Sequence, residues 1–158
     1  MPDLILLRHA AAADGARDVD RQLTDEGRRQ AHSIGAQLLR CGLVPDIVVA
    51  SPAARAWETA VLACGHLGFP VKAIVADRAI YDADVAHLVD VLRRHGGQAQ
   101  RLLLVGHNPG LTELGGRLLR APPPDWEMAR GAAAELHVAG TWAQPAMAKG
   151  TLGRRLSP

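Results

Sequence analysis

Three short apolar runs limit what this chain can fold into: Leu4-Ile5-Leu6-Leu7, Asp46 to Ala50, and Leu102 to Val105. Each is too short for a buried helix and lacks the polar alternation of a half-exposed strand. They are the pattern of strands covered on both faces, which requires helices on either side of a mostly parallel sheet. The intervening segments supply those helices. Thr24 is placed to cap one with an inner face of Ala31, Ile34, Leu38 and Leu39 that stops near Gly42 and Pro45. Ser51-Pro52 reads as an N-cap followed by a first-turn proline, opening a helix towards Gly65. Asp84 to His95 carries Val85, Leu88, Val89 and Leu92 on one face and ends at Gly96-Gly97. Asn108 and Pro109 repeat the cap-plus-proline pattern before Leu111, Leu114, Leu118 and Leu119.

Val71 to Ala76 reads as a further strand, and Ala132 to Val138 alternates as a half-exposed outer strand would. The tail from Thr141 is expected to add one more edge strand. Strands alternating with helices predict an α/β fold, a three-layer α/β/α sandwich of one domain over residues 1–158. Apolar residues make up 48% of the chain but aromatics only 3%, so its core must be built from Leu, Val, Ile and Ala.

A net charge of +2, with basic residues scattered rather than clustered, argues against nucleic acid as the partner. Cys41 and Cys64 have neither metal-site nor disulfide-scaffold spacing, which favours a reducing compartment. Leu4 to Leu7 is far shorter than a membrane span or a signal-peptide core, so a soluble cytoplasmic protein is expected.

The chemistry lies at the strand ends, since ligands of open α/β sheets bind beyond the carboxyl ends of the strands. The first run leads into Arg8-His9, the second into Ser51-Pro52 with Arg55 one turn on, and the third into Gly106-His107. Two histidines, two arginines and two helix N-termini thus converge from distant parts of the sequence. Guanidinium forks and free helix N–H groups suit a tetrahedral oxyanion. A neutral imidazole in such a pocket is a competent nucleophile towards phosphorus, and a second can stabilise the equatorial oxygens. His32, His66, His87, His95 and His137 fall on helix faces, helix ends or an exposed strand face, where ordinary surface roles account for them. Two arginines would oppose a dication, so no metal is expected at the site. Neither GxGxxG nor GxxxxGK[ST] occurs, and no cofactor is expected.

Leu6-Leu7-Arg8-His9, Ser51-Pro52-Ala53-Ala54-Arg55-Ala56-Trp57-Glu58-Thr59 and Gly106-His107-Asn108-Pro109, in that order, resemble the histidine phosphatase superfamily, whose fold is phosphoglycerate-mutase-like. The resemblance runs from Leu4 to about Leu119. Among its branches the short chain is most similar to the SixA-type phosphohistidine phosphatases, with Asp18 and Arg21 before Leu23-Thr24 at matching places. The resemblance implies a metal-independent phosphatase in which His9 is phosphorylated, Arg8, Arg21 and Arg55 hold the phosphoryl group, and His107 stabilises the transition state. It makes Asp18 a supporting residue. The chain departs from the family at Ala10, where glycine is usual, and in lacking an evident general acid.

Asp82 and Asp84 follow Tyr81 near the place of that acid, yet either can simply open the helix that begins there. An alkoxide leaving group needs a proton, whereas a phosphohistidine with a protonated ring leaves as neutral imidazole. Three readings follow. The first is a phosphatase acting on a phosphohistidine-bearing protein domain. The second is a small-molecule phosphomonoesterase with Asp82 or Asp84 as acid, and the third a non-catalytic module that binds a phosphorylated ligand. Oligomeric state is not written in the sequence.

Overall fold

The computed structural model of the chain describes residues 1–158. Strands β1 (Asp3–Arg8), β2 (Ile47–Ala50), β3 (Val75–Ala76), β4 (Arg101–Gly106), β5 (Ala133–His137) and β6 (Thr151–Leu156) form one sheet in the order β3-β2-β4-β1-β5-β6. The first four strands in that order run parallel; β5 is antiparallel to β1, and β6 to β5. Helices α1 (Asp25–Arg40) and α2 (Ala54–Leu67) cover one face, and α3 (Val85–His95) and α4 (Gly110–Leu118) the other.

The uninterrupted apolar strands explain this layering. In β1, Leu4 and Leu6 pack with α3 and α4, while Ile5 and Leu7 pack with α1 and α2, because successive side chains point to opposite faces. Every one of these four is fully buried. No helix is long and apolar enough to cross a membrane.

Thr24 caps α1 as its sequence indicates, its hydroxyl accepting the Gly27 N–H at 3.0 Å. Other boundaries moved. Ser51 does not cap α2, which begins three residues later at Ala54. Its hydroxyl instead accepts the Ala53 N–H at 3.2 Å, closing a tight turn around Pro52. Helix α4 starts at Gly110, with Pro109 before it in a cis peptide bond; Asn108 still serves the helix by accepting the Thr112 N–H. Leu39, assigned to the inner face of α1, is 49% exposed.

Residues 71–76 are only partly strand. Val71–Ala73 form a 3-10 turn closed by Ala73 N–H to Pro70 O, leaving two residues to pair with the end of β2. Strand β5 is not an outer strand: the tail returns as β6 and covers it, so that Ala133 to Leu136, including Glu135, are buried. Alternation alone could not distinguish a solvent-facing carboxylate from one covered by a strand contributed later in the chain.

Candidate active site

Register brings the site together. Arg8 pairs with Gly106 across β1 and β4, and Ala50 with Val105 across β2 and β4. The residues just past those pairs are therefore neighbours in a row: His9 donates its backbone N–H to Gly106 O, and Ser51 donates its own to Val105 O. His9 and His107 stand with ring centroids 5.3 Å apart, and His107 Nε2 lies 2.8 Å from Ser51 Oγ.

The turn after His9 is held from both neighbouring helices. Ala10 N–H donates to Thr59 Oγ1 at 3.1 Å, and Thr59 donates its hydroxyl to Arg55 O one turn back in α2. Ala11 N–H donates to Gln30 Oε1, and Thr24 N–H to Ala11 O. Gly27 permits this approach, since a Cβ there would meet Ala11 O at 2.0 Å.

The backbone fixes the proton on the His9 ring. His9 Nδ1 lies 2.8 Å from Ala10 O, a pure acceptor, so Nδ1 carries the hydrogen and Nε2 keeps its lone pair. Ser51 Oγ accepts from Ala53 and keeps a second lone pair and its own proton, so it can bond either tautomer of His107 at Nε2. Burial first, then the charges of Arg55 and Arg8, push His9 down to about 4, although Ala10 O opposes the shift. Burial, Arg55 and His9 push His107 down to about 3. Both imidazoles are neutral at pH 7.

Arg55 enters from the first turn of α2 and is buried; its Nη1 donates to Asp18 O at 2.8 Å and its Nη2 to Asp18 Oδ2 at 3.0 Å. Arg8 Nη1 donates to Met128 O at 3.0 Å, and Asn108 Nδ2 donates to the same carbonyl at 2.8 Å. Burial and the nearby Arg130 lower the Arg8 guanidinium below its ordinary value. Across the whole chain only four buried side-chain nitrogens lack a partner, and three of them are Arg8 Nε, Arg55 Nε and His107 Nδ1. A buried donor without an acceptor costs roughly 1–3 kcal/mol, more when charged. That cost gathers around His9, where an incoming oxyanion would relieve it.

Asp18 binds more partners than its place in an exposed loop suggests. Its carboxylate accepts from Arg55, from Arg21 Nη1 at 3.1 Å, and from the Tyr81 hydroxyl. Tyr81, Arg21 and Arg55 together hold it far below the usual carboxylate range. The same bond raises the Tyr81 phenol. Tyr81 also sets its ring edge-on to His107, with centroids 5.5 Å apart. Arg21 is anchored to Asp18 and, through Nε, to Ala13 O at 2.9 Å.

Asp84 caps α3, accepting the His87 N–H at 2.9 Å, and pairs with the His87 ring. Asp82 is exposed in the preceding turn at φ 55°. Neither hydrogen-bonds a member of the His9–His107 cluster. The structure thus joins Arg8, His9, Asp18, Arg21, Arg55 and His107, and leaves Asp84 engaged in its helix. It adds Ser51, Thr59, Tyr81 and Asn108 as supports. Thr59 was visible as the residue one helical turn past Arg55; no spacing in the sequence marks Tyr81 as a partner of Asp18.

A groove of about 770 Å³ adjoins the cluster, lined by Arg17, Asp18, Val19, Pro52, Arg78 and Tyr81 among others. A smaller cleft of about 420 Å³ lies around Pro2, Gly97 and Trp142 and has no charged side chain in its lining.

Comparison with known proteins bears on the family and the fold. Residues 4–79 match the family model of the histidine phosphatase superfamily, branch 1. An uncharacterized protein of Mycobacterium tuberculosis is 33% identical over 147 residues, covering 87% of this chain and 90% of its own. SixA of Nakamurella multipartitia, provisionally named a phosphohistidine phosphatase, superposes with a TM-score of 0.84 at 32% identity, covering 99% of this chain and 96% of that one. The protein histidine phosphatase SixA in complex with tungstate reaches the same TM-score at 22% identity, covering 98% and 96%, and shares the fold.

Proposed function

Because this chain belongs to the histidine phosphatase superfamily, we propose that it hydrolyses its substrate through a phosphohistidine formed on His9, and that the substrate is a protein phosphohistidine. The observation that carries the first half is the His9 Nδ1–H bond to Ala10 O, which leaves Nε2 unprotonated amid positive charge. In the first step Nε2 attacks phosphorus and the bond to the leaving group breaks. Arg8, Arg55 and His107 stabilise the charge on the equatorial oxygens. In the second step water displaces His9, releasing inorganic phosphate and restoring the neutral ring. The cationic donors supply the charge stabilisation, so the proposed reaction needs no metal ion.

The second half rests on proton supply. An alkoxide would need a carboxylic acid beside it. The carboxyl group bound into the cluster, Asp18, is kept ionised by Tyr81, Arg21 and Arg55, and Asp84 is occupied as a helix cap. A phosphohistidine brings its own ring proton and departs as neutral imidazole. An open groove of about 770 Å³ beside the site leaves room for a protein surface. The relative from Nakamurella multipartitia carries a name of the same class.

The test is to supply phosphohistidine protein and alkyl phosphates separately, in chelator, and to trap the enzyme. The expected result is rapid turnover of phosphohistidine, slow turnover of alkyl phosphates, and an acid-labile phosphate on His9 that a His9→Ala protein lacks. Faster hydrolysis of alkyl phosphates would reject the substrate class; label retained in His9→Ala would reject the nucleophile.

A further inference from the structure

At the opposite end of the sheet, β1 and β5 place three metal-ligating side chains together. Asp3 pairs with His137 and Ile5 with Glu135 across the antiparallel ladder, so Asp3, Glu135 and His137 project from the same face. Their ligand atoms lie within 4.8 Å of one another, the one group of three His, Cys, Asp or Glu side chains so placed in the chain. His137 Nδ1 is 2.7 Å from Asp3 Oδ1.

Glu135 is what an ion pair between His137 and Asp3 leaves unexplained. Only 8% of the residue is exposed, yet its carboxylate accepts no hydrogen bond from the protein and forms no salt bridge. The chain makes specific room for it. The β5–β6 register shifts between Ala134 and Leu136, and the facing residue on β6 is Gly153, where a Cβ would meet Glu135 Oε2 at 2.6 Å. Neither Glu135 oxygen is among the chain's buried atoms without a partner, so the little exposure the residue keeps reaches its carboxylate, which is open to an ion from solvent.

We propose that Asp3, Glu135 and His137 form a binding site for a divalent transition metal of zinc-like ligand preference. One imidazole and two carboxylates suit such an ion; bonds of about 2.0–2.2 Å set neighbouring ligand atoms roughly 3.4 Å apart, so His137 Nδ1 and Asp3 Oδ1, now at 2.7 Å, would move apart to admit it. Arg101 Nη2 holds Asp3 Oδ2 at 3.2 Å, leaving Oδ1 for the ion. The two carboxylates outweigh that one guanidinium, so a dication is favoured electrostatically. Binding displaces the proton of His137 Nδ1 and staples β1 to β5, at the far end of the strand that carries His9.

The rival is a plain His137–Asp3 hydrogen bond, with Glu135 open to solvent and no metal bound. Calorimetric titration with Zn2+ distinguishes them. It is run in a His9→Ala/His32→Ala background, which removes the paired imidazoles of the active site and the exposed His32–His66 pair, whose ring nitrogens are 2.9 Å apart. One Zn2+ is expected to bind and to raise the melting temperature. Glu135→Gln and His137→Ala should each weaken it by more than about tenfold, and Gly153→Ala, which crowds Glu135, should weaken it too. His137 is partly exposed, so its replacement keeps the test open even where Glu135→Gln fails to fold. Absence of Zn2+ binding, or full affinity in either folded variant, overturns the site. In the chain with His9 and His32 intact, phosphatase activity should be indifferent to both changes.

Discussion

The two ends of β1 carry charge in opposite ways. At its amino end Asp3 is matched on both sides, by Arg101 at 3.2 Å and His137 at 2.7 Å. At its carboxyl end Arg8 and His9 face Arg55 and His107, and burial first, then like charges, lower the affinity of both rings for a proton. One end pairs opposite charges as a folding unit does. The other gathers positive charge and buried unpartnered donors, which stabilises nothing until an anion arrives. Groups left without partners mark both proposed sites, the cationic cluster here and Glu135 at the amino end.

Replacing His9 should widen that contrast most. His9→Ala removes the proposed nucleophile, and kcat for phosphohistidine should fall by more than about 10³-fold with no phosphoenzyme trapped. Arg55→Ala is the next largest, on the order of 10²-fold to 10³-fold in kcat/KM, because it strips charge from the phosphoryl group and frees Asp18. The converse readout is stability. Removing Arg55 also removes a repulsive charge from both histidines, so their pKa values should rise, which histidine NMR can follow. A fall in those values would contradict the like-charge account.

Acidification tests the same frustration without mutation. His9 and His107 titrate near 4 and 3 in the folded protein but near 6.5 when unfolded. The unfolded chain then binds more protons below 6.5, so their contribution to stability is complete above that pH and is lost as pH falls towards 4. The loss should be on the order of a few kcal/mol for the pair. Urea unfolding of the parent and a His9→Asn/His107→Asn protein between pH 7 and 5 checks this. The variant should show the shallower pH dependence, and parallel curves would refute it.

Most of the carboxyl-end arrangement was legible in the sequence because it follows from continuous apolar strands, each ending in a named side chain. Arg8, His9, Arg55 and His107 needed only the rule that parallel strands deliver their ends to one edge. What stayed hidden was set by contacts distant in sequence. Ser51 looked like a helix cap because Ser-Pro usually is one, and only the β2–β4 register shows it beside His107. Tyr81 reaches Asp18 across 63 residues of sequence, from a turn whose conformation no periodicity describes. Glu135 read as solvent-facing because its cover, β6, comes from the weakly patterned tail.

The smallest expected effect tests the amino end. Arg101 donates to Asp3 and, through Nη1, to the carbonyls of Gly42 and Val44 at 3.3 Å each, so it ties β4 to the loop after α1. Its side chain is 25% exposed, and the bonds are long enough that each is individually modest. Arg101→Met keeps much of the aliphatic packing and deletes only the charge and donors. It should cost about 1–3 kcal/mol, seen as a lower urea midpoint with unchanged slope, while kcat/KM stays at the parent value. A larger loss of activity than of stability would mean that the two ends of β1 are coupled, and that the amino end does more than hold the fold.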